Sequence, residues 1–349
     1  MAFTTINKSG DYFNTKLYTG NGSAGNAVTG VGFAPNFVWI KERSSTSSHV
    51  LGNTVTGINK RLQSDTTSAE GTLSNIFTSF DSDGFTNGAD NGVNENGQTY
   101  ASWNWNGGTV AGSANTDGSI SSTVSANTTS GFSIVSYTGT GSIATIGHGL
   151  GVAPNVVIVK QRTAAGNHWV MYNSALPSAN YFLYLDGTDA QQTATNFFNN
   201  AAPSNSVFTV GTDAQTNGNT NSLIAYCFAE KQGYSKFGSY VGNGSTNGPF
   251  VYTGFKPAFV ITKRIDSTGG GWGINDNKRP NYNPENLYLV ANTNSAEASD
   301  GSWTMDLLSN GWKARYNNGH FNASGGSYIY MAFAEAPLVG TNNVPANAR

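Results

Sequence analysis

Three distant stretches of this chain repeat one another with fixed internal spacing, and no other feature constrains the fold as strongly. Tyr18, Tyr137 and Tyr240 open the hexapeptides YTGNGS, YTGTGS and YVGNGS. A proline follows each tyrosine after 17 residues (Pro35, Pro154, Pro257), and a lysine follows after 23 (Lys41, Lys160, Lys263). The surrounding segments read GFAPNFVWIK, GVAPNVVIVK and GFKPAFVITK. Each copy ends in an alternating aromatic stretch: YASWNW (Tyr100 to Trp105), LIAYCF (Leu223 to Phe228) and YIYMAF (Tyr328 to Phe333). The copies start 119 and then 103 residues apart. Solenoid repeats span only about 20–50 residues, so each copy is expected to be a domain. The expected division is residues 1–108, 132–236 and 237–337 for the copies, 109–131 for a Gly/Ser/Thr/Asn-rich linker, and 338–349 for a tail. A short strand is expected in the linker near Ile120 and Val124.

Composition narrows what each copy can be. Gly, Asn, Thr and Ser supply 159 of the 349 residues. All four are mediocre or poor in helix interiors, because they cost backbone entropy or bond their own backbone. Aromatic residues at 12% and apolar residues at 38% are nonetheless enough for cores. The run Phe37 to Ile40 is apolar on both faces, with Lys41 and Arg43 continuing one face, as in a strand that emerges into solvent at its end. Turn clusters such as Asp81–Gly84, Asn205–Ser206 and Asn310–Gly311 separate the strands. The expected fold is therefore all-β: three tandem antiparallel β-sandwich domains, a triplicated unit of about 100 residues. A β-barrel is the rival.

Charge excludes some functions. Charged residues make up 11% and the formal net charge is −2, with none of the basic excess that phosphate neutralisation needs. Nucleic acid is therefore not an expected partner. Met1 to Gly10 lacks a basic segment followed by an apolar one. No run approaches the 18 or so apolar residues of a membrane helix. Neither a signal peptide nor membrane insertion is expected. A nearly neutral surface removes the repulsion that keeps small proteins apart, so self-association is expected.

Catalytic and metal-binding patterns do not stand out. His49, His148, His168 and His320 form neither HxxxH nor HExxH. Asp81 and Asp83 lie in a Ser-Asp-Gly turn, where carboxylates ordinarily cap backbone amides. Residues 90–96, DNGVNEN, lack calcium-loop spacing. No GxSxG is present, and the Gly269–Gly271 run is not followed by GK[ST]. Cys227, the single cysteine, sits in an apolar run and reads as a small buried hydrophobe. The repeated lysines and arginines read as long stems covering apolar surface with their charges in water. No catalytic, cofactor or metal residue is expected. Recognition is the remaining class: rigid aromatics among Asn, Ser and Gly suit binding surfaces. Trp272, Tyr282, Trp303 and Trp312 of the third copy are the candidate ligand contacts.

Several longer motifs resemble one family. YFNTKLYTGNGS (Tyr12 to Ser23), VWIKERSSTSSH (Val38 to His49), FDSDGF (Phe80 to Phe85) and YASWNWNGG (Tyr100 to Gly108) are similar to a repeated domain of marine bacteriophage (cyanophage-type) virion proteins. So are GFSIVSYTGTG (Gly131 to Gly141), AYCFAEKQGYSKFGSYVGNGS (Ala225 to Ser245), SGGSYIYMAFAE (Ser324 to Glu335) and the terminal PANAR (Pro345 to Arg349). The resemblance implies a non-enzymatic virion structural protein, assembled in the cytoplasm of a bacterial host. The leading expectation is a tail-fibre or receptor-binding adhesin that contacts a host surface glycan or protein. A capsid decoration or head-fibre protein binding other virion proteins is the alternative, and a polysaccharide depolymerase the third. The chain starts almost directly with the first copy, which favours a compact appendage. A homotrimer is the expected assembly, since fibres usually close symmetrically.

Overall fold

The computed structural model describes residues 4–108, 111–280, 282–339 and 347. The chain is all-β, 43% strand against 4% helix, with several antiparallel sheets and none closed. Of the expected tail 338–349, all but residues 338, 339 and 347 lie outside the described residues.

The sequence repeat returns as a repeat of strand order. In the first unit a leading strand (Phe13–Thr19), a closing strand (Thr99–Trp105), a lysine strand (Phe37–Glu42) and a flanking strand (Val50–Asn53) lie side by side in that order. The second unit repeats it with Phe132–Thr138, Ser222–Phe228, Val156–Gln161 and Trp169–Asn173. The third does so with Ser235–Val241, Ser327–Pro337, Phe255–Arg264 and Trp272–Asp276. Pro35 and Pro154 precede their lysine strands, where a missing N–H costs no ladder bond. Pro257 lies inside its strand, at a register shift that absorbs the lost donor.

The region expected to be a linker contributes structure to the second unit. Ser113–Asn115 pairs with Ser122–Asn127, which in turn pairs along Phe132–Thr138 and widens that unit's sheet. Thr109 and Val110 lie outside the described residues.

Each lysine strand is buried on both faces, and in the first two units the two faces serve different cores, whereas in the third both join one. In the first unit Val38, Ile40, Val50 and Tyr100 pack against Val28, Phe77 and Phe85 of a smaller sheet (Asn26–Thr29, Gly84–Asn87, Phe77–Asp81). The second unit does the same with Val157 and Val159 against Ile146 and Phe208. The opposite faces meet one another. Phe37, Trp39, Trp103 and Trp105 join Ile158, Tyr226, Phe228, Phe259, Ile261 and Phe333 in one contiguous cluster drawn from all three units. Each such ring or branched side chain contributes about 1.5–3 kcal/mol when fully buried. This shared core therefore binds the units together.

Three equivalent seams close the arrangement. Between the first and third units, Ser47 N–H donates to Asn294 O (2.9 Å) and Glu297 N–H to Arg43 O (2.8 Å). Between the second and first, Gly166 donates to Thr67 O (2.9 Å) and Glu70 to Arg162 O (2.9 Å). Between the third and second, Gly269 donates to Thr188 O (3.0 Å) and Gln191 to Ile265 O (2.8 Å). A ring nitrogen adds a further bond to a backbone carbonyl at each seam: His49 to Val290 (3.1 Å), Trp169 to Gln63 (2.8 Å) and Trp272 to Tyr184 (2.9 Å). The first unit thus closes on the third, the second on the first and the third on the second.

Candidate recognition surface

The repeated hexapeptides are structural. Tyr18, Tyr137 and Tyr240 donate their hydroxyls to Val93 O, Thr216 O and Phe321 O, at 2.8, 2.6 and 2.7 Å. The next residue in each case is a fully buried asparagine, Asn94, Asn217 or Asn322. Its Oδ1 accepts the N–H of Asn21, Thr140 or Asn243 in the hexapeptide turn, at 2.9, 2.8 and 2.8 Å. Its Nδ2 donates to Ser23 O, Ser142 O or Ser245 O. The first glycine of the hexapeptide allows this approach. A Cβ at Gly20, Gly139 or Gly242 would come within 2.1–2.3 Å of a backbone oxygen.

The repeated lysines differ from the solvent-reaching expectation. Lys41, Lys160 and Lys263 are buried, and their ammonium groups bond backbone carbonyls of Glu42 (2.6 Å), Asn167 and Arg264 (2.9 Å). Burial lowers the pKa of each to about 8. Lys263 also bonds Thr188 O of the second unit (3.4 Å), a contact between units that a single strand's pattern does not reveal.

Three of the four expected ligand contacts are core residues. Trp272, Trp303 and Trp312 are 1%, 5% and 0% exposed. Trp272 serves a seam, as above. Trp303 lies between Tyr288 and His320, and Trp312 between Tyr240 and Phe321. Other rings pack against Trp303 and Trp312, which leaves little of either open to a ligand. Tyr282 is 72% exposed.

Titratable groups are tied into the scaffold. Asp83 accepts from Gly30 N–H (3.0 Å) and Gly32 N–H (2.6 Å), the Gly32 bond first among those that hold its carboxyl below the ordinary range. Asp81 accepts the Thr86 hydroxyl (2.7 Å), and Asp90 caps Gly92 N–H (2.9 Å). Asp186 bonds His168 Nδ1 (2.8 Å) and Trp169 N–H (2.9 Å), fixing the start of a flanking strand. Burial pushes the Cys227 thiol up to about 12. Among the described residues no three His, Cys, Asp or Glu side chains gather to hold a metal. Among them, too, no helix is long and apolar enough to cross a membrane.

The third unit departs from the other two on its outer sheet. Phe250–Tyr252 pairs with Gly311–Ala314 there. Its buried Val251 faces Trp312 as Val28 faces Phe85 and Ile146 faces Phe208. The flanking positions are Ala27 and Thr29 in the first unit and Thr145 and Gly147 in the second, where Asn115 covers Gly147. In the third they are Phe250 and Tyr252, 45% and 53% exposed. The Phe250 ring lies over Gly311, where a Cβ would come within 3.0 Å of it. Tyr252 borders a cleft of about 360 Å³ walled by Glu230, Gln232, Lys236 and Thr253. In that wall Glu230 accepts from Phe237 N–H (2.7 Å) and from Lys236 Nζ (3.2 Å). The sequence signal for this surface is aligned rather than local: FVY stands where the other copies have AVT and TIG.

Fold and surface together define an all-β protein of three units with like strand order, the third exposing Phe250 and Tyr252. The profile of the family described as a domain of unknown function, DUF7483, matches residues 8–337, and the chain belongs to that family. A single family unit thus spans all three copies. Among curated proteins, none matches the chain.

Proposed function

We propose that the chain is a non-enzymatic structural protein of a bacteriophage virion, acting as a tail-fibre or receptor-binding adhesin at the host cell surface. In this reading each large sheet and its smaller partner form one β-sandwich, and three sandwiches make the adhesin body. The motifs from Tyr12 to Ser23 and from Ala225 to Ser245, which resemble marine phage virion domains, supply the virion part. The observation that carries the adhesin part is the asymmetry of the third unit. Phe250 and Tyr252 are exposed where its siblings have Ala, Thr and Gly. Large exposed apolar side chains clustered on one face mark interaction sites. Self-association as a trimer and contacts with other virion proteins belong to the same proposal.

The test is competition. Purified protein added to host cells is expected to adsorb and to reduce phage adsorption in proportion to its concentration. Neither adsorption nor block would remove the adhesin reading. Labelling the protein on intact particles places it at the tail for an adhesin, and at the capsid for a decoration protein.

A further inference from the structure

Resting on the adhesin reading, we propose that the third unit carries a binding site for a neutral saccharide chain, formed by Phe250, Tyr252 and the cleft beside them. Phe250 and Tyr252 are two residues apart on one strand, so their Cα atoms lie about 6.8 Å apart and both side chains leave the same face, the Phe250 ring over Gly311 and the Tyr252 ring towards Gly254. That spacing lets the C–H faces of a short run of pyranose rings rest on consecutive aromatic faces, while hydroxyls turn to the cleft. The cleft wall holds complementary groups. Glu230 is fixed by Phe237 N–H and Lys236, and each of its oxygens retains lone-pair capacity for a hydroxyl. Gln232 is exposed and offers an amide with both donors and an acceptor.

Charge selects among ligands. Glu230 and Lys236 neutralise each other, so the wall draws neither an anion nor a cation strongly. Two rings bordered by Lys313 and Asp306 are too small an apolar area for a stable protein interface, which needs about 800 Å² per partner. A neutral polyhydroxylated chain satisfies both constraints.

The full chain is probed on an array of neutral gluco-, galacto- and manno-configured oligosaccharides, and the strongest signal is measured by titration calorimetry. The variant carries Phe250→Thr and Tyr252→Thr, since threonine is tolerated at Thr145 and Thr29 of the sibling units. An affinity loss of about tenfold or more is expected, with thermal unfolding unchanged. Gln232→Ala, at an exposed position, is expected to weaken binding to a smaller degree. If the double variant does not fold, hydrogen exchange of the native chain is expected to slow at residues 250–254 on adding the saccharide. No signal across the array overturns the proposal, as does binding that survives the ring substitutions or leaves exchange at 250–254 unchanged. Saccharide binding through these rings without any block of phage adsorption would sustain the site and remove the adhesin reading. Block that persists in the double variant would sustain the adhesin and remove the site.

Discussion

Arg162 of the second unit and Glu70 of the first hold each other through two hydrogen bonds of 2.7 and 2.8 Å, and Arg43 and Glu297 repeat the arrangement at 3.0 and 2.8 Å. The third seam lacks it. Two residues after Lys263 stands Ile265 where the other units have arginine, and Gln191 occupies the place of the glutamate. Arg264, one residue out of step, turns to Asp266 of its own unit. Gln191 Oε1 is buried without a hydrogen-bond partner among the described residues. The inner bonds follow the same pattern. Trp103 Nε1 donates to Asp276 (3.0 Å) and Asn53 donates to the Tyr226 hydroxyl (3.2 Å), but Met331 stands at the third such position. Asn173 Nδ2, the corresponding amide, has no partner among the described residues. The seam that lacks these bonds joins the two units linked by the shortest connection, residues 229–234, where covalent tethering holds them close in any case.

Restoring the missing pair is therefore expected to stabilise the chain. Ile265→Arg combined with Gln191→Glu should add about 1 kcal/mol beyond the sum of the single changes, read by denaturant unfolding in a double-mutant cycle. Glu70→Gln should cost about 2 kcal/mol, because it leaves a largely covered Arg162 with half its partner. A cycle with no coupling would mean that Ile265 and Gln191 do not stand in the arginine and glutamate positions.

The buried asparagines give a second prediction. Asn322→Ala removes the acceptor for Asn243 N–H and the donor to Ser245 O and Tyr316 O. The expected cost is about 2–4 kcal/mol, with Asn94→Ala and Asn217→Ala similar. Near-neutral effects at all three would contradict the clamp that explains the repeated hexapeptide.

His49 gives a pH dependence with a defined sign. Its Nδ1 accepts Trp39 Nε1–H (2.8 Å), so the proton sits on Nε2 and is donated to Val290 O, and the ring is neutral. Burial first, and then the nearby Lys41 charge, lower its pKa from 6.5 to about 3. Between those values the unfolded chain binds a proton that the folded chain does not, so stability rises with pH across that window and falls on acidification. The lost stability is on the order of a few kcal/mol at the acid end. Urea titrations from pH 7 to pH 4 on the native chain and on His49→Gln test this. The variant should show a flatter dependence, and parallel curves would contradict the assignment.

How much of this was legible in the sequence depends on range. The strand at Phe37–Glu42 and the turns around the hexapeptides follow from local alternation and Gly/Asn chemistry, and the all-β class follows with them. The shared core does not, because Phe37 and Val38 are equally apolar and nothing local says that one faces a neighbouring unit. Nor does the burial of Lys263, whose ammonium also bonds Thr188 O of the second unit. The tryptophans of the third copy misled because ring chemistry suits both a core and a sugar platform. Comparing aligned copies points instead to Phe250 and Tyr252. Asn94, Asn217 and Asn322 escaped notice because loops of different length separate each from its tyrosine.

The three copies form one body, closed by three seams around one core. Hydrogen exchange under increasing urea, resolved by mass spectrometry, separates one body from three independent domains. The closing strands Thr99–Trp105, Ser222–Phe228 and Ser327–Pro337 each feed the shared core. They are predicted to open together, with a single free energy and a single urea dependence. One closing strand opening at lower urea, while the other two remain protected, would contradict a single body.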